Sequence, residues 1–456
     1  MSTLIEPRVL KGFRDYLPST ELARAALIDK LEATFRSFGF VPIDTPALEY
    51  AEILLGKGGG ETDKQVYRFK DNGDRDVALR FDLTVPFARF MAEHYNELYL
   101  PFRRYHIAKV WRGENTQRGR YREFMQCDFD IVGTDSASAD ADIVLTIASA
   151  MQTLGVGAVR IRVNHRGLMN RFLAAQGISE KLVPVLRIID KQEKIGPDET
   201  QALLTQEVGR PLAERIIDFV TPEKDSSKTL TKMLELCGKD DADAQAAANR
   251  LSEVFSIVNA CGLGALVYLD PAITRGLDYY TGIVFETTLV AMPEIGSVCS
   301  GGRYNELASL YTTKELPGVG AAIGLDRLLA ALEALGKMEQ AQPLPLVLIT
   351  NDGSVALSLL HKEAHRLRQE GISCEVFPEA KKLPQQYSYA EKKNIPFALL
   401  FQNMQGYQEI EPYLSKFPLR DLKERQTQEF DSFEKLVLFL RNFSASLGTT
   451  ASSTEL

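Results

Sequence analysis

The sequence predicts an α+β fold: an antiparallel sheet with flanking helices, a helical insertion, and a C-terminal α/β domain. Three observations predict it. Strand-like segments separated by loops occur before residue 165 and return after residue 263, residues 166–262 are mostly helical in pattern, and strands and helices alternate from residue 346 onward. At 456 residues the chain is too long for one ordinary domain, so two or three domains are expected.

The first predicted segment, residues 1–165, starts with an amphipathic helix. Ser19 or Thr20 is expected to cap this helix, and apolar residues follow at helical spacing, namely Leu27, Leu31, Phe35 and Phe38. Strand-like stretches follow at 40–43 and 77–81, and then two arms of a hairpin enclose a polar loop rich in arginine. Because strands return at 263–340, the domain is predicted to be discontinuous, with residues 166–262 as its helical insertion.

The last predicted domain spans residues 344–445 and follows a Pro-containing linker at 340–345. Its predicted order is βαβαβ, with strands at 346–350, 372–377 and 397–401 and helices at 354–369 and 384–393. That order implies a largely parallel sheet. The Ser/Thr-rich residues 446–456 are predicted to form a disordered tail.

Composition narrows the class of protein. The chain is 45% hydrophobic and 25% charged, which is normal for a globular protein. The net charge of −8 argues mildly against nucleic-acid binding, although a local basic patch could still provide it. None of the five cysteines forms a C-x-x-C pair, which suits a reducing, cytoplasmic location. With no signal peptide and no run of about 18 apolar residues, no membrane partner is expected.

Two motif-like patterns do not predict sites. The glycine-rich residues 56–60 lack the Ser or Thr that follows the lysine of a phosphate-binding loop, which leaves a mobile loop near a ligand or a plain flexible loop. His361 and His365 are four residues apart on a predicted helix, but Lys362 stands where the zinc-protease motif has Glu. No metal ligand is predicted.

The arginine-rich hairpin indicates nucleotide chemistry. Arg112 ends an apolar strand, and Glu114 points to the same face if the strand continues. That face would offer a guanidinium fork for phosphate and a carboxylate for an exocyclic amine. Arg120 repeats the spacing on the return arm, and Phe124 could stack on a purine ring. The alternative is that Arg112 is a solvated strand-end arginine.

Acidic and polar residues are predicted to lie beside these arginines. Asp82 and Thr84 follow an apolar strand, where they could bind a ligand or cap the strand end. Gln126, Asp128 and Asp130 alternate along the return arm and so share one face. Carboxylates on a sheet face are costly unless they meet opposite charges, and such a face could hold a zwitterion. The residues therefore predict a site for ATP and an amino acid, with adenylation as the reaction.

The motifs resemble those of class II aminoacyl-tRNA synthetases, and within that class the histidyl-tRNA synthetase family, over nearly the whole chain. Residues 11–15 are similar to the family's opening motif. Residues 19–46 are similar to motif 1, the dimer element. The hairpin around Arg112 is similar to motif 2, and residues 318–328 are similar to motif 3. The segments RGLDYY (275–280) and GGRY (301–304) are similar to the motifs that distinguish the histidine enzyme. The last domain resembles the family's anticodon-binding domain.

The resemblance implies an enzyme that activates L-histidine with ATP to histidyl-adenylate and transfers it to the 3′ end of tRNA(His). It implies a homodimer, and Mg²⁺ accompanying ATP. Arg275 and Arg112 would be the catalytic residues, both near the α-phosphate. The implied ATP-binding residues are Arg112, Glu114, Phe124, Arg120 and Arg327. The implied histidine-binding residues are Asp82, Thr84, Gln126, Asp130, Tyr279, Tyr280 and Tyr304. The implied contacts with the tRNA acceptor end are Asn115, Gln117 and Arg118.

The sequence also departs from the common bacterial pattern. Asp82 and Asp130 stand where many bacterial members carry Glu, and residues 113–117 read GENTQ in place of HERPQ. Two alternative classes stay open at this point. A catalytically inactive paralogue that regulates histidine biosynthesis would typically lack the last domain and the RGLDYY motif, and a plain RNA-binding module would leave Arg112, Glu114 and Arg327 unexplained.

Overall fold

The computed structural model describes residues 4–56, 65–238, 240–273, 280–338, 345–401 and 416–449. The chain divides into two compact units, Met1–Met338 and Glu339–Leu456. The glycine-rich residues 57–60, the linker residues 340–344, and the predicted site residues Arg275 and Tyr279 lie outside the described residues.

The first unit combines strands and helices in the predicted α+β manner. Its strands are β1 Val41–Pro42, β2 Leu48–Tyr50, β3 Arg68–Lys70, β4 Asp76–Leu79, β5 Phe102–Trp111, β6 Glu123–Val132, β7 Val159–His165, β8 Val267–Leu269, β9 Ile283–Leu289, β10 Cys299–Arg303 and β11 Gly318–Gly324. Its helices are α1 Pro18–Ser37, α2 Ala51–Leu55, α3 Thr84–His94, α4 Ala137–Thr153, α5 Arg166–Ala175, α6 Leu182–Ile189, α7 Gln192–Ile195, α8 Pro197–Val208, α9 Arg210–Val220, α10 Ser226–Cys237, α11 Ala242–Ala260 and α12 Leu325–Ala334.

A large sheet organises this unit. Among the described residues its strand order is β1-β5-β6-β11-β10-β9-β7-β8, antiparallel in the middle, with a parallel strand at each edge. The hairpin β5–β6 pairs along its full length, from Phe102 opposite Val132 to Trp111 opposite Glu123. The predicted hairpin is therefore confirmed. Its second strand, β6, pairs with β11, so the sheet joins the part of the unit before the helical insertion to the part after it.

One face of the large sheet is apolar and carries the core. Residues with odd numbers on β5 and β6, such as Tyr105 and Phe129, are buried among side chains of α1 and α4. Phe35 of α1 lies 4.9 Å from Phe129 and 5.6 Å from Tyr105, measured between ring centroids. Because side chains alternate along a strand, burial of this face leaves the even-numbered residues on the opposite face.

Two local predictions for the first segment were wrong. Helix α1 begins at Pro18, so Ser19 and Thr20 lie inside its first turn and neither caps it. Proline suits the first helical position because its missing N–H would have no partner there. The strand predicted at 77–81 is β4, which pairs with β2 and β3 in a separate three-stranded sheet and not in the large one.

The chain between β7 and β8 is helical, as predicted for the insertion. It runs through α5 to α11, and its apolar side chains join the core of the same unit. Phe172 and Phe219 stack with ring centroids 4.4 Å apart. Arg250 on α11 pairs with the buried Asp140 of α4 at 2.5 Å, which fixes the last helix of the insertion to the sheet-covering helices.

The second unit is the predicted small α/β domain. Its elements are β12 Val347–Ile349, α13 Leu357–Gln369, β13 Cys374–Val376, α14 Leu383–Lys392, β14 Phe397–Leu399, β15 Phe417–Asp421, β16 Thr427–Phe430 and α15 Phe433–Thr449. The strand order is β13-β12-β14-β15-β16, with the first three parallel and the last two antiparallel. Helix α15 runs to Thr449, so residues 446–449 of the predicted disordered tail are helical. Before that tail, the Phe443 ring packs 4.7 Å from the Phe397 ring.

Candidate active site

The face of the large sheet opposite the core is polar, and we call it the polar face. It carries Arg104, His106, Gln126, Asp128 and Asp130. The pairing register arranges these residues in rows across β5, β6 and β11: Arg104 with Asp130 and Gly320, His106 with Asp128 and Ala322, and Ala108 with Gln126 and Gly324. Charged groups on β5 and β6 thus lie beside very small residues on β11. The Asp130 carboxylate fills the space above Gly320, whereas Ala322 and Gly324 line an open cleft.

A cleft of about 630 Å³ opens at one end of the polar face. Its lining includes the five predicted ATP-binding residues, namely Arg112, Glu114, Arg120, Phe124 and Arg327, together with Gln126. The Arg112 guanidinium lies 5.1 Å from the centre of the Phe124 ring and donates from Nε to the Phe81 carbonyl at 2.9 Å. This contact holds Arg112 over the sheet, so the solvated strand-end alternative does not describe it.

The loop of the hairpin forms the outer wall of the cleft, and contacts within the loop hold it in place. Glu114 pairs with Arg120, and the Arg122 Nε donates to the Glu114 carbonyl at 3.1 Å. Gln117 and Arg120 exchange backbone hydrogen bonds around Gly119, whose φ of 69° suits a residue without a side chain. Asn115, Gln117 and Arg118 are exposed at this tip.

Farther along the polar face, Asp130 is enclosed by a cation and a phenol. Arg104 Nη2 lies 2.8 Å from Asp130 Oδ2, and both side chains are almost completely buried. The Tyr304 hydroxyl donates to Asp130 Oδ1 at 2.5 Å. Burial raises the pKa of Asp130, and Arg104 and the Tyr304 hydrogen bond partly offset that rise. Burial also raises the pKa of Tyr304, which stays a hydrogen-bond donor.

Glycines make room for these groups. A Cβ on Gly320 would overlap the Asp130 carboxylate, and one on Gly318 would lie 2.9 Å from Cζ of Tyr304. A Cβ on Gly302 would lie 2.9 Å from Cδ1 of Tyr280. Three predicted histidine-binding residues therefore each rest against a glycine of β10 or β11.

The remaining predicted histidine-binding residues are buried at the same end of the first unit. Asp82 is 1% exposed and accepts a hydrogen bond from the Val85 backbone N–H at 3.1 Å, while Thr84 begins α3. Gln126 is buried, and its side-chain nitrogen donates to Asp128 Oδ1 at a long 3.4 Å. Gln126 also lines the cleft, so one side chain contacts both the cleft and Asp128.

Comparison with known proteins decides the family. The model of the family "Histidyl-tRNA synthetase" matches residues 12–328, and that of "Anticodon binding domain" matches residues 346–441. The chain belongs to the histidyl-tRNA synthetase family. It is 50% identical over 437 residues to the histidine–tRNA ligase of Treponema denticola, covering 94% of this chain and 97% of that one. It is 46% identical over 400 residues to that of Rhodopirellula baltica, covering 87% and 90%.

Solved structures agree with this membership. The histidyl-tRNA synthetase from Nostoc sp. PCC 7120 superposes with a TM-score of 0.84 at 32% identity, covering 96% of this chain and all of that one. An ATP phosphoribosyltransferase regulatory subunit/histidyl-tRNA synthetase from Bacillus halodurans superposes with a TM-score of 0.71 at 20% identity, which shows the fold alone. The predicted class II fold with its C-terminal domain is confirmed.

The structure also brings in residues that the sequence did not assign to the site. Asp326, beside Arg327, accepts hydrogen bonds from Arg14 at 3.0 Å, from Tyr16, and from the Met125 backbone N–H at 2.6 Å. Arg14 lies over the rings of Tyr16 and Tyr121, 4.2 Å from each centre. The segment before α1 is thereby attached to the wall of the cleft. The resemblance of residues 11–15 to a family motif was the only signal for this role.

Arg275 and Tyr279 lie outside the described residues, but the chain on both sides of residues 274–279 is described. Asn164 at the end of β7 donates to the carbonyls of Pro271 at 3.1 Å and Ile273 at 3.0 Å. The Arg166 backbone N–H donates to the Gly282 carbonyl at 2.9 Å. The end of β7 therefore contacts the chain before and after residues 274–279.

Proposed function

We propose that this chain is a histidine–tRNA ligase that forms histidyl-adenylate from L-histidine and ATP and transfers the histidyl group to tRNA(His). One observation carries the proposal. Gln126 lines the cleft that holds Arg112, Glu114 and Phe124, and its side chain donates to the buried Asp128, which lies two residues from Asp130 on the same face. A nucleotide subsite beside a small polar subsite on one sheet face is the arrangement that adenylation of an amino acid requires.

In the activation step, the enzyme would supply position and charge and no nucleophile of its own. The adenine ring would lie against Phe124, with Glu114 accepting from its amino group and Arg327 on the other side. Arg112 would hold the α-phosphate. The substrate carboxylate would then attack the α-phosphorus, the bond to the β-phosphate oxygen would break, and pyrophosphate would leave. Arg275 is proposed to stabilise the charge that develops on the α-phosphate.

Glu114 would have to exchange partners in this scheme. Its carboxylate pairs with Arg120, whose side chain is 41% exposed. The Glu114 side chain is only 13% exposed, so its carboxylate needs a partner, and the adenine amino group would take the place of Arg120. Arg120, once released, would face the phosphates of the nucleotide, which agrees with its place in the cleft lining.

The histidine pocket would be formed by Asp82, Thr84, Gln126 and Asp130, closed by Tyr279, Tyr280 and Tyr304. Asp130 already pairs with Arg104 and Tyr304, so it would offer the substrate a polarised, neutralised carboxylate. In the transfer step, a hydroxyl of the terminal tRNA ribose would attack the carbonyl carbon of the adenylate and release AMP.

Recognition of tRNA would involve both units. Asn115, Gln117 and Arg118, exposed at the hairpin tip, are proposed to contact the acceptor end. The second unit, which matches the anticodon-binding domain, is proposed to contact the anticodon.

Mg²⁺ is proposed to accompany ATP. Within the described ranges, no group of three or more His, Cys, Asp or Glu side chains could hold a metal. We propose that the cation is bound mainly by the phosphates, as Mg²⁺ commonly is at nucleotide sites.

A homodimer and a cytoplasmic location are proposed as well. Apolar side chains are exposed at the β1 edge and on the three-stranded sheet, including Val41, Tyr50 and Phe69, which supports a subunit contact there. No helix in the described part of the chain is long and apolar enough to cross a membrane.

The test is histidine-dependent ATP–pyrophosphate exchange, with the other amino acids as controls, followed by charging of a tRNA(His) transcript. Exchange with histidine alone and charging of that transcript are expected. Absence of exchange with histidine, or equal exchange with several amino acids, would overturn the proposal.

A further inference from the structure

Asp128 is a buried carboxylate at the centre of the polar face. It is 2% exposed and lies between His106 on β5 and Ala322 on β11. Among the described residues, its hydrogen-bond partner is Gln126, at the long distance of 3.4 Å. No salt bridge reaches it within those residues, although Arg104 and Arg112 are near enough to affect it electrostatically. An ionised carboxylate in such a place is costly unless a ligand compensates it.

The neighbouring groups on this face are already engaged. Arg104 pairs with Asp130, and His106 Nε2 lies 3.0 Å from Asp44 Oδ1. Burial, together with Arg104 and Arg80, lowers the pKa of His106 to about 3, so this ring is neutral and cannot serve as a cation for Asp128. Arg112 is held over Phe124 and bonded to the Phe81 carbonyl. Neither of the two arginines forms a salt bridge with Asp128, and the His106 ring carries no charge to offer it.

We propose that Asp128 binds the positively charged α-ammonium group of the amino-acid substrate and thereby determines its selection. The inference rests on the proposed function, and it adds Asp128 to the residues predicted to touch histidine. Asp128 lies one pleat from Gln126, which lines the nucleotide cleft, and one pleat from Asp130, which is enclosed by Arg104 and Tyr304. The head group of the substrate must face the α-phosphate, so its ammonium lies toward Gln126 and Asp128, and its ring lies toward Asp130 and Tyr304.

A matched control is available on the same face. Glu286 on β9 is also 2% exposed, but its carboxylate pairs with Arg162 at 2.5 Å. Asp128→Asn and Glu286→Gln therefore make the same chemical change to a buried carboxylate on one sheet face. Glu286 forms a salt bridge with Arg162, whereas Asp128 forms none with the described cations.

The experiment measures pyrophosphate exchange and urea unfolding for both variants in the full-length protein. For Asp128→Asn, the KM for histidine should rise by roughly 10- to 100-fold, the range expected when a charged hydrogen bond is lost, while the KM for ATP stays within about twofold. Imidazole-propionate, which lacks the amine, should inhibit wild type and the variant equally. Without substrate, Asp128→Asn should be at least as stable as wild type, whereas Glu286→Gln should be less stable.

Each alternative gives a different result. A histidine KM within twofold of wild type would overturn the inference, as would a loss of stability in Asp128→Asn equal to that in Glu286→Gln. Loss of discrimination against ring-methylated histidines, with discrimination against imidazole-propionate retained, would assign Asp128 to the ring and overturn it as well. Failure of the wild-type protein to exchange with histidine would instead refute the proposed function, so the two failures are distinguishable.

Discussion

We expect Asp130→Asn to lower the free energy of unfolding of the first unit and to disturb the substrate pocket just as strongly. The Arg104 side chain is 0% exposed, and Asp130 is the carboxylate it pairs with, at 2.8 Å. Asn would leave that guanidinium buried, with one hydrogen bond to the Leu83 carbonyl at 3.2 Å and a stacking contact 4.3 Å from the Phe87 ring. Removing one partner of a buried ion pair costs roughly 3–5 kcal/mol.

A second substitution separates the charge effect from the loss of shape. Arg104→Met removes the cation and keeps a long side chain, so the double variant Arg104→Met/Asp130→Asn has no unpaired charge. Replacing a buried pair by apolar groups is often neutral or stabilising. The double variant should therefore recover at least about 2 kcal/mol relative to Asp130→Asn alone, a coupling within the range for residues in contact.

The protein contains its own probe for this measurement. Its one tryptophan, Trp111, ends β5 in the same sheet and donates from the indole to Glu123 at 2.9 Å. Urea unfolding followed by tryptophan fluorescence therefore reports on the first unit. A loss below about 1 kcal/mol in Asp130→Asn, or a double variant no more stable than the single one, would refute the role assigned to this pair.

Further predictions concern catalysis, modularity, tRNA and pH. Arg275→Ala should lower the activation rate by on the order of 10²-fold while ATP binding changes much less; near-normal pyrophosphate exchange would contradict its catalytic role. A chain ending at Met338 should still activate histidine but charge tRNA poorly, and equal loss of both activities would show that the second unit supports the active site. Removing the extra 5′ guanosine of tRNA(His) should cost no more than roughly 1–3 kcal/mol in kcat/KM, because Asn115 offers less to a guanine or phosphate than an arginine would; a larger cost that Asn115→Ala abolishes would make Asn115 a reader of that base. Burial raises the pKa of Asp128, with Arg104, Asp130, Asp82 and Arg112 as the surrounding charges. The stability contributed by its protonated form is therefore present below the unfolded carboxyl pKa, about 3.9, and is lost as pH rises through the folded value. Asp128→Asn should accordingly gain stability over wild type as pH rises in urea titrations, and a pH-independent difference would contradict this.

Local pattern was enough to predict the hairpin and the alternation of the helices and strands around it. Residues 102–112 and 123–132 form long strand-like segments on either side of one polar loop, which predicts that they pair as a hairpin. The C-terminal βαβαβ order was likewise evident, although the antiparallel strands β15 and β16 were not predicted. The structure of a long, periodic segment can be predicted from its own pattern. The sheet to which a short strand such as β4 belongs cannot be predicted in this way.

The partners of the site residues could not be predicted from the same patterns. Arg104 belongs to an apolar-rich strand, and only the cross-strand register places it opposite Asp130. Asp326 meets Arg14 across 312 residues of sequence, which no local periodicity encodes. Asp128 was predicted to share a face with Gln126 and Asp130, but only the structure shows that none of the described cations forms a salt bridge with it.

Substituting alanine for the glycines that contact Tyr304 and Asp130 would add atoms, whereas an alanine scan normally removes them. Elsewhere in the protein, substitution by alanine deletes atoms and reports what a side chain contributed. At Gly318 and Gly320 it inserts a methyl group into space that the Tyr304 ring and the Asp130 carboxylate already fill. A scan that skips glycines would therefore miss positions that contribute by leaving space for a neighbouring side chain. Gly→Ala changes here would displace the Tyr304 ring or the Asp130 carboxylate.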